Sequence, residues 1–443
     1  MSSNLTLSLL LPFLVFPLAA QTAEPSEAMI QVLKRLDALE SENRLLKEEL
    51  GSLKQQMAGT QTQSRTPNAP PLEERVDVTE KRVAEQEQKK VESSQKFPLS
   101  LNGMLLFNAF SSGKPSSLYS SYSLLDGPST TGATVGQSII GLQFRGPSLP
   151  GGGRVNGSLT MDFWGARMAS SDTGWLRIRE ADLSMDWKRR SLSFGQMKPL
   201  ISPLQPTSLA EVAVPPLSGA GNLWYWLPQV RYEERVRLGS QSGVNLQAAL
   251  LQTDEAAAYV AAAFSPSLQR ARPGAEGRAA FWRNFAENRR LEIGGGFHIS
   301  STHVAGVSIP SHIASVDWSI APLWKLQLSG TFYRGQNVAS LGSLGNGFVV
   351  YRARSARAVQ NTAGWTQLAI PITNRLTFDI FGGIESDGGS EAIVRNFTYA
   401  SNLMYHLGPN VVLGLEALQS RLRYYDASHQ LLNHYDVALA YIF

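Results

Sequence analysis

The sequence predicts an all-β transmembrane barrel of about 16 antiparallel strands with an amino-terminal α-helical coiled coil. Three observations lead there. The final residues, Tyr435 to Phe443, put Tyr435, Val437, Leu439, Tyr441 and Phe443 on one face and Asp436, Ala438 and Ala440 on the other. Such a strand has one greasy side, one small or polar side and an aromatic end, which suits a lipid interface outside and a lumen inside. From Phe97 onward the same period-two alternation recurs, with short turns and long loops taking turns between strands. No internal run of 18 apolar residues occurs, so crossing a bilayer falls to strands rather than helices.

Residues 1–20 read as a secretory signal. Leu5 to Phe16 form the apolar segment, and Pro17-Leu-Ala-Ala20 precedes a polar stretch. No Lys or Arg comes before the apolar segment, and Leu18 rather than a small residue stands two positions before Ala20. The competing reading is a short anchor helix, for which twelve apolar residues are too few.

Residues 29–57 carry a heptad. Met29, Leu36, Asn43, Leu50 and Met57 fall at a, and Val32, Leu39, Leu46 and Leu53 at d. Arg35 with Glu40, Glu42 with Lys47, and Glu49 with Lys54 are g-to-e pairs of opposite sign, which favours identical helices running parallel and in register. Asn43 fixes that register. A charged amphipathic helix packed on its own chain is the alternative. Residues 58–96 begin as a polar, proline-containing linker ending Pro67-Asn-Ala-Pro-Pro71 and continue as a second charged helical stretch anchored at Val76, Val83 and Val91.

The barrel is expected over 97–443. In Arg154 to Phe163, Val155, Gly157, Leu159, Met161 and Phe163 oppose Arg154, Asn156, Ser158, Thr160 and Asp162; Lys325 to Tyr333 and Leu291 to Ser300 repeat the pattern. A polar face this long calls for a water-filled lumen. Short turns are expected at 150–153, 188–190, 239–243, 287–289, 322–324, 373–374 and 408–410, and long loops at places such as 111–136, 266–277, 336–361 and 426–433. Seven turns and eight loops close as sixteen strands, with 14 and 18 as alternatives, and 243–263 is the least defined because Ala256 to Ala263 also suits a helix. An even count puts both barrel ends on the periplasmic side, and the coiled coil with them.

Composition excludes other classes. There is no cysteine, hence no disulfide scaffold, thiolate zinc site or thiol nucleophile. The six histidines are scattered without metal spacing and no G-x-S-x-G elbow occurs, so neither catalytic residues, metal nor cofactor is expected. Positive charge is spread over alternating strands with no basic helix or stacking module, which argues against nucleic acid.

Signal, periplasmic coiled coil, barrel and the terminal Leu439-Ala-Tyr-Ile-Phe443 together resemble a trimeric outer-membrane porin, of the DcaP-like type with an amino-terminal coiled coil. Leu439, Tyr441 and Phe443 are similar to the signal read by the barrel assembly machinery. The resemblance implies a homotrimer of separate pores in the bacterial outer membrane, passing small hydrophilic solutes by diffusion.

A pore of that width needs a constriction. After the fifth expected strand (Ser191 to Lys198) comes a long, mostly apolar segment from Pro199 to Asn222, which includes Pro215 and Pro216 and has Glu211 as its only charge. It stands where general porins fold their third loop inward. The alternative is a loop packed on a neighbouring subunit. On the inward side, Arg145, Arg154, Arg177, Arg179, Arg231, Glu233, Arg235 and Arg237 are the expected pore-lining residues. Arg177 and Arg179 share parity with Ala181 and Leu183 rather than with the nearby acids, so a bulge is expected there. Residues 97–443 hold 24 Arg and 4 Lys against 22 acids. Arginine binds carboxylate and phosphate bidentately, and rings of it favour anions. Structural salt bridging along the wall is the competing reading. Trp164, Trp175, Trp187, Trp224, Tyr225 and Trp226 are read mainly as interface girdle, with a sugar-selective row of lumen aromatics as the alternative. A further rival is a poorly conducting barrel whose coiled coil tethers it to peptidoglycan.

Overall fold

A computed structural model describes residues 99–113, 128–165, 174–253, 269–270, 273–286, 289–304, 306–321, 326–344, 347–352, 355–387 and 393–443. The expected signal (1–20), coiled coil (29–57), linker and second helical stretch (58–96), and the ambiguous Ala256 to Ala263 lie outside them. The strands are β1 (Leu99–Ser112), β2 (Thr130–Thr134), β3 (Ile139–Leu149), β4 (Gly153–Gly165), β5 (Trp175–Asp186), β6 (Arg190–Met197), β7 (Leu227–Arg237), β8 (Ser242–Leu251), β9 (Gln269–Arg270), β10 (Gly274–Ala286), β11 (Arg289–Val304), β12 (Val307–Ile320), β13 (Gln327–Gln336), β14 (Phe348–Arg352), β15 (Ser355–Ala358), β16 (Gln360–Pro371), β17 (Leu376–Ser386), β18 (Ile393–His406), β19 (Val411–Tyr424) and β20 (His429–Ile442). Sixteen of them pair antiparallel with both neighbours, and β1 meets β20 from Met104↔Ile442 to Ser112↔His434, so the sheet closes on itself. Closure leaves the wall without a free end strand, and where β5 runs beyond β6 the Gln196 side chain donates to Ile178 O and Arg179 O instead.

The four remaining strands extend the wall or a loop. β2 takes the place of β3 beside the far half of β1, β9 pairs briefly with β11, and β14 and β15 form a separate hairpin between β13 and β16. All seven expected short connections join strands at one end of the barrel, the end that also carries Leu99 and Ile442. The other end departs from expectation in places. β11 and β12 are joined by only two residues, 305–306, where Gly306 has φ 76°. The loop expected at 426–433 shrinks to a turn closed by Tyr424 N–H to Ser428 O, and β20 already starts at His429. Likewise β10 begins at Gly274, inside the loop expected over 266–277. In these cases the inward–outward alternation continues through residues that do not sort by polarity: at the start of β20, Gln430, Leu432 and His434 are buried inside while His429 and Leu431 are exposed.

Side chains obey the pleat. Leu105, Phe107, Phe332, Leu415, Val437 and Tyr441 are exposed on the outer wall, while their neighbours Leu106, Asn108, Thr331, Glu416, Asp436 and Ala440 are buried inside. The inner wall is not uniformly wet. Ile201, Leu223, Val338 and Leu341 pack with Leu227, Leu251, Ile313, Tyr333 and Ala363, and Leu217 and Ala220 pack with Trp365, Phe381, Ala400 and Leu418. The first four of these and Leu217 and Ala220 come from two loop segments, 198–226 and 337–344, that turn into the barrel. Each fully buried Leu or Ile stabilises that arrangement by about 1.5–3 kcal/mol.

Candidate functional site

The segment from Pro199 to Asn222 lies against the inner wall and runs round it. Leu200 N–H donates to Glu276 Oε2 on β10 at 2.6 Å, and Thr207 N–H to Gln367 Oε1 on β16 at 2.7 Å. Ser208 Oγ donates to Glu416 Oε2 on β19 at 2.5 Å, and Asn402 Nδ2 on β18 to Thr207 O at 3.0 Å. Asn108 Nδ2 on β1 reaches Leu209 O at 2.8 Å. Returning, Asn396 Nδ2 on β18 holds Gly219 O at 2.9 Å. The loop can be buried because wall amides and carboxylates take up its backbone groups, as any buried peptide requires. Prolines help: Pro215 and Pro216 are buried and have no N–H to satisfy. Contact is close at Gly383, where a Cβ would stand 2.1 Å from Ala220 O, and at Gly221 (φ 103°), where one would stand 2.5 Å from Gly364 O.

One clamp had no sequence signal. Gln137 lies between β2 and β3, outside any alternation, and is 1 % exposed. Its Nε2 donates to Ala210 O at 2.7 Å and to Asn108 Oδ1 at 3.1 Å. Its Oε1 accepts from Val212 N–H at 2.8 Å and Ala213 N–H at 2.9 Å. Next to it, Glu211 is almost fully buried and one of its carboxylate oxygens has no hydrogen-bond partner. Burial, reinforced by the carboxylates of Glu416 and Asp436, pushes its pKa well above the ordinary range.

The arginines nearest the loop stand on β5 and β7, on the wall where the loop begins. Thr160 pairs with Glu180 and Met161 with Ile178, so Arg179 is the extra residue of a bulge. The bulge puts Arg177 and Arg179 on the same inner face as the acids, and both meet Asp162: Arg177 at 2.6 Å and Arg179 at 3.8 Å. Arg177 also donates to Ala213 O on the loop. Both guanidiniums lie over the Trp226 ring, at 5.6 and 4.6 Å from its centroid, and Trp226 Nε1 donates to Glu180 Oε1 at 3.1 Å. Arg231 Nη2 donates to Lys198 O and Gln229 Oε1. Arg235 meets Glu233 at 3.1 Å, and Glu233 also accepts from Gln247. Arg154 and Arg237 adjoin the short turns at 150–152 and 238–241, and Arg145 pairs with Asn156; all three are exposed and none has a carboxylate within 4 Å among the described residues. The eight residues therefore form an interleaved wall of both signs, with unpaired arginine toward the short-turn end.

The aromatics divide. Trp175 is exposed outside, in keeping with a girdle. Trp164 is instead buried inside with Ala213, Trp226 stacks on the arginines and Tyr225 packs on the inner cluster that includes Leu341, so the girdle reading is corrected for these three. That reading rested on nearness to strand ends; Trp164 shares the inward parity of Asp162, and Trp226 stands at the root of the inward loop. At the barrel seam Leu439, Tyr441 and Phe443 share the outer face; the Tyr441 and Phe443 rings stack at 6.2 Å, and Phe443 exchanges backbone hydrogen bonds with Gly103.

No family model matches the sequence, and a comparison with curated proteins finds no match. Among solved structures, the outer membrane channel DcaP of Acinetobacter baumannii superposes with a TM-score of 0.64 at 17% identity, covering 78% of this chain and 97% of that one. An anion-selective porin from Comamonas acidovorans gives 0.55 at 12% identity, covering 79% and 100%. With its closed sixteen-stranded wall, short turns at one end and third loop turned inward, residues 99–443 have the barrel fold of the outer-membrane porins.

Proposed function

We propose that this chain is an outer-membrane porin: a passive channel for small hydrophilic solutes, narrowed by residues 198–226 and preferring anions such as small carboxylates or phosphate. The observation that carries this reading is the loop hydrogen-bonded round the inner wall and flanked by a row of arginines, one of which holds its backbone at Ala213. Such a row favours anions where its charges are not matched. Arg145, Arg154 and Arg237 supply unmatched charge, and Arg177, Arg179, Arg231, Glu233 and Arg235 form the wall beside the loop. The Comamonas protein of similar fold is described as anion-selective, which supports the same leaning. The chain is read as a homotrimer, joined by its heptad at 29–57 in the periplasm. Planar-bilayer recording of the purified full chain tests this. Salt-scaled conductance steps in threes, with a reversal potential favouring the anion, are expected; cation preference would reject the selectivity.

A second reading is favoured by the apolar packing inside the barrel, where loop residues such as Leu217 and Leu223 are fully buried against the wall. On that reading the barrel is plugged and the protein tethers the envelope through its coiled coil. The same recording separates the two, because a plugged barrel passes no current.

A further inference from the structure

The outer wall carries a second cationic feature, apart from the lumen. On β18 and β19, Arg395, Arg421 and Arg423 are exposed, while Asn396, Ser420 and Leu422 between them are buried inside. The three arginines therefore point away from the pore, on the side that also presents Phe397, Leu403, Leu415 and Val437. Their height follows from the strand. Leu431, opposite Arg421, is ten residues from Tyr441, which at ~3.3 Å per residue and a tilt near 40° is roughly 25 Å above the lower aromatic rim. That is about the full height of the apolar band, so the arginines stand at its upper edge, where the outer leaflet presents its headgroups.

We infer that this patch binds the phosphate of a phosphorylated lipid in the outer leaflet. Arg395 and Arg423 are direct cross-strand partners, an arrangement of like charges that is unfavourable without a counter-ion. None of the three has a carboxylate within 4 Å among the described residues. Beside them is a preset polar cradle: Arg421 donates to Gln419 Oε1 and Tyr399 Oη, its guanidinium lies 5.5 Å from the Tyr399 ring centroid, and Gln419 Nε2 holds Asn433 Oδ1. Guanidinium groups in this setting favour a phosphate that two of them can share. A second copy of the chain fits the patch less well. Among the described barrel strands Glu234 is the one carboxylate on the outward side; it is close to the short turn at 238–241, at the opposite end, and is already bonded by Tyr232. Apolar surface runs directly below the arginines, so acyl chains and headgroup are accommodated together.

Native mass spectrometry of the detergent-purified full chain tests this, with bis-phosphorylated lipid A, its dephosphorylated form and inorganic phosphate as probes. The wild type is expected to retain the phosphorylated lipid at least tenfold better than the dephosphorylated one. Each guanidinium near a headgroup contributes roughly fivefold, so R395Q/R421Q/R423Q should lose binding on the order of a hundredfold. Arg423→Gln alone, which removes no intramolecular bond, is expected to lose about fivefold and keeps the test open if the triple variant misfolds. Arg283→Gln, on the outer wall near the other end, should change nothing. Equal retention by the variants, indifference to the lipid phosphates, or displacement by millimolar inorganic phosphate would overturn the inference. So would dissociation of the oligomer with lipid retained, which would mark the patch as a contact between copies. None of these readouts depends on conduction.

Discussion

Gln137 is the side chain whose removal should release the inward loop most cleanly. Four hydrogen bonds of 2.7 to 3.1 Å converge on its amide, three of them with loop backbone at Ala210, Val212 and Ala213. At about 1 kcal/mol net for each loop bond, Gln137→Ala costs roughly 3 kcal/mol of loop docking. Water entering the vacated site offsets part of the penalty for stranded amides, so the sum is not raised further. At a factor of ten per 1.4 kcal/mol, local opening should become on the order of a hundredfold more frequent. Hydrogen exchange at the Val212 and Ala213 amides reads this directly, since both bond to Gln137. Exchange at β19 amides, held by the wall ladder, should be unchanged and serves as the internal reference. If the two loop amides kept wild-type protection in a folded Gln137→Ala barrel, the clamp would carry no energy and the account of loop docking would fail.

Gly383→Leu places a side chain where even a Cβ would stand 2.1 Å from Ala220 O, so the return limb of the loop must lift; larger single-channel conductance is expected, and an unchanged value would place the limiting width elsewhere. Asp162→Asn removes the shared partner of Arg177 and Arg179, both of which face the lumen. It should lower stability by about 2 kcal/mol, below the usual 3–5 because Arg177 is 24% exposed, and should raise anion preference in reversal-potential measurements. Replacing Arg231 and Arg235 by Ala should move the reversal potential the other way, and an equal ratio in both proteins would remove this wall from the selectivity argument.

Much of the barrel was legible because a wall strand between lipid and lumen must alternate. Val155 to Phe163, Leu326 to Phe332 and Tyr435 to Phe443 each announce their face by parity, and the seven tight turns between strands stand out through glycine, proline and charge. Legibility failed where the two faces did not sort by polarity, as from His429 to Asn433, where Leu431 is exposed and Leu432 buried. The Arg179 bulge, by contrast, was legible as a parity clash, because Arg177 and Arg179 fall in step with Ala181 and Leu183 rather than with the acids beside them. The long loop at 198–226 was visible as an apolar anomaly, whereas the inward turn of 337–344, with its 3₁₀ turn at Ala339–Leu341, was not singled out.

Strand identity and facing are properties of single segments, since each follows from the two solvents a strand must separate, and the linear order of residues therefore determines them. Which groups meet inside the barrel is another matter. Asp162 finds Arg177 and Arg179, Gln137 finds Ala210, and Glu416 finds Ser208 only once closure brings distant strands and loops to one cavity. Those pairings join residues as far as 208 positions apart, and only the tertiary structure could decide them.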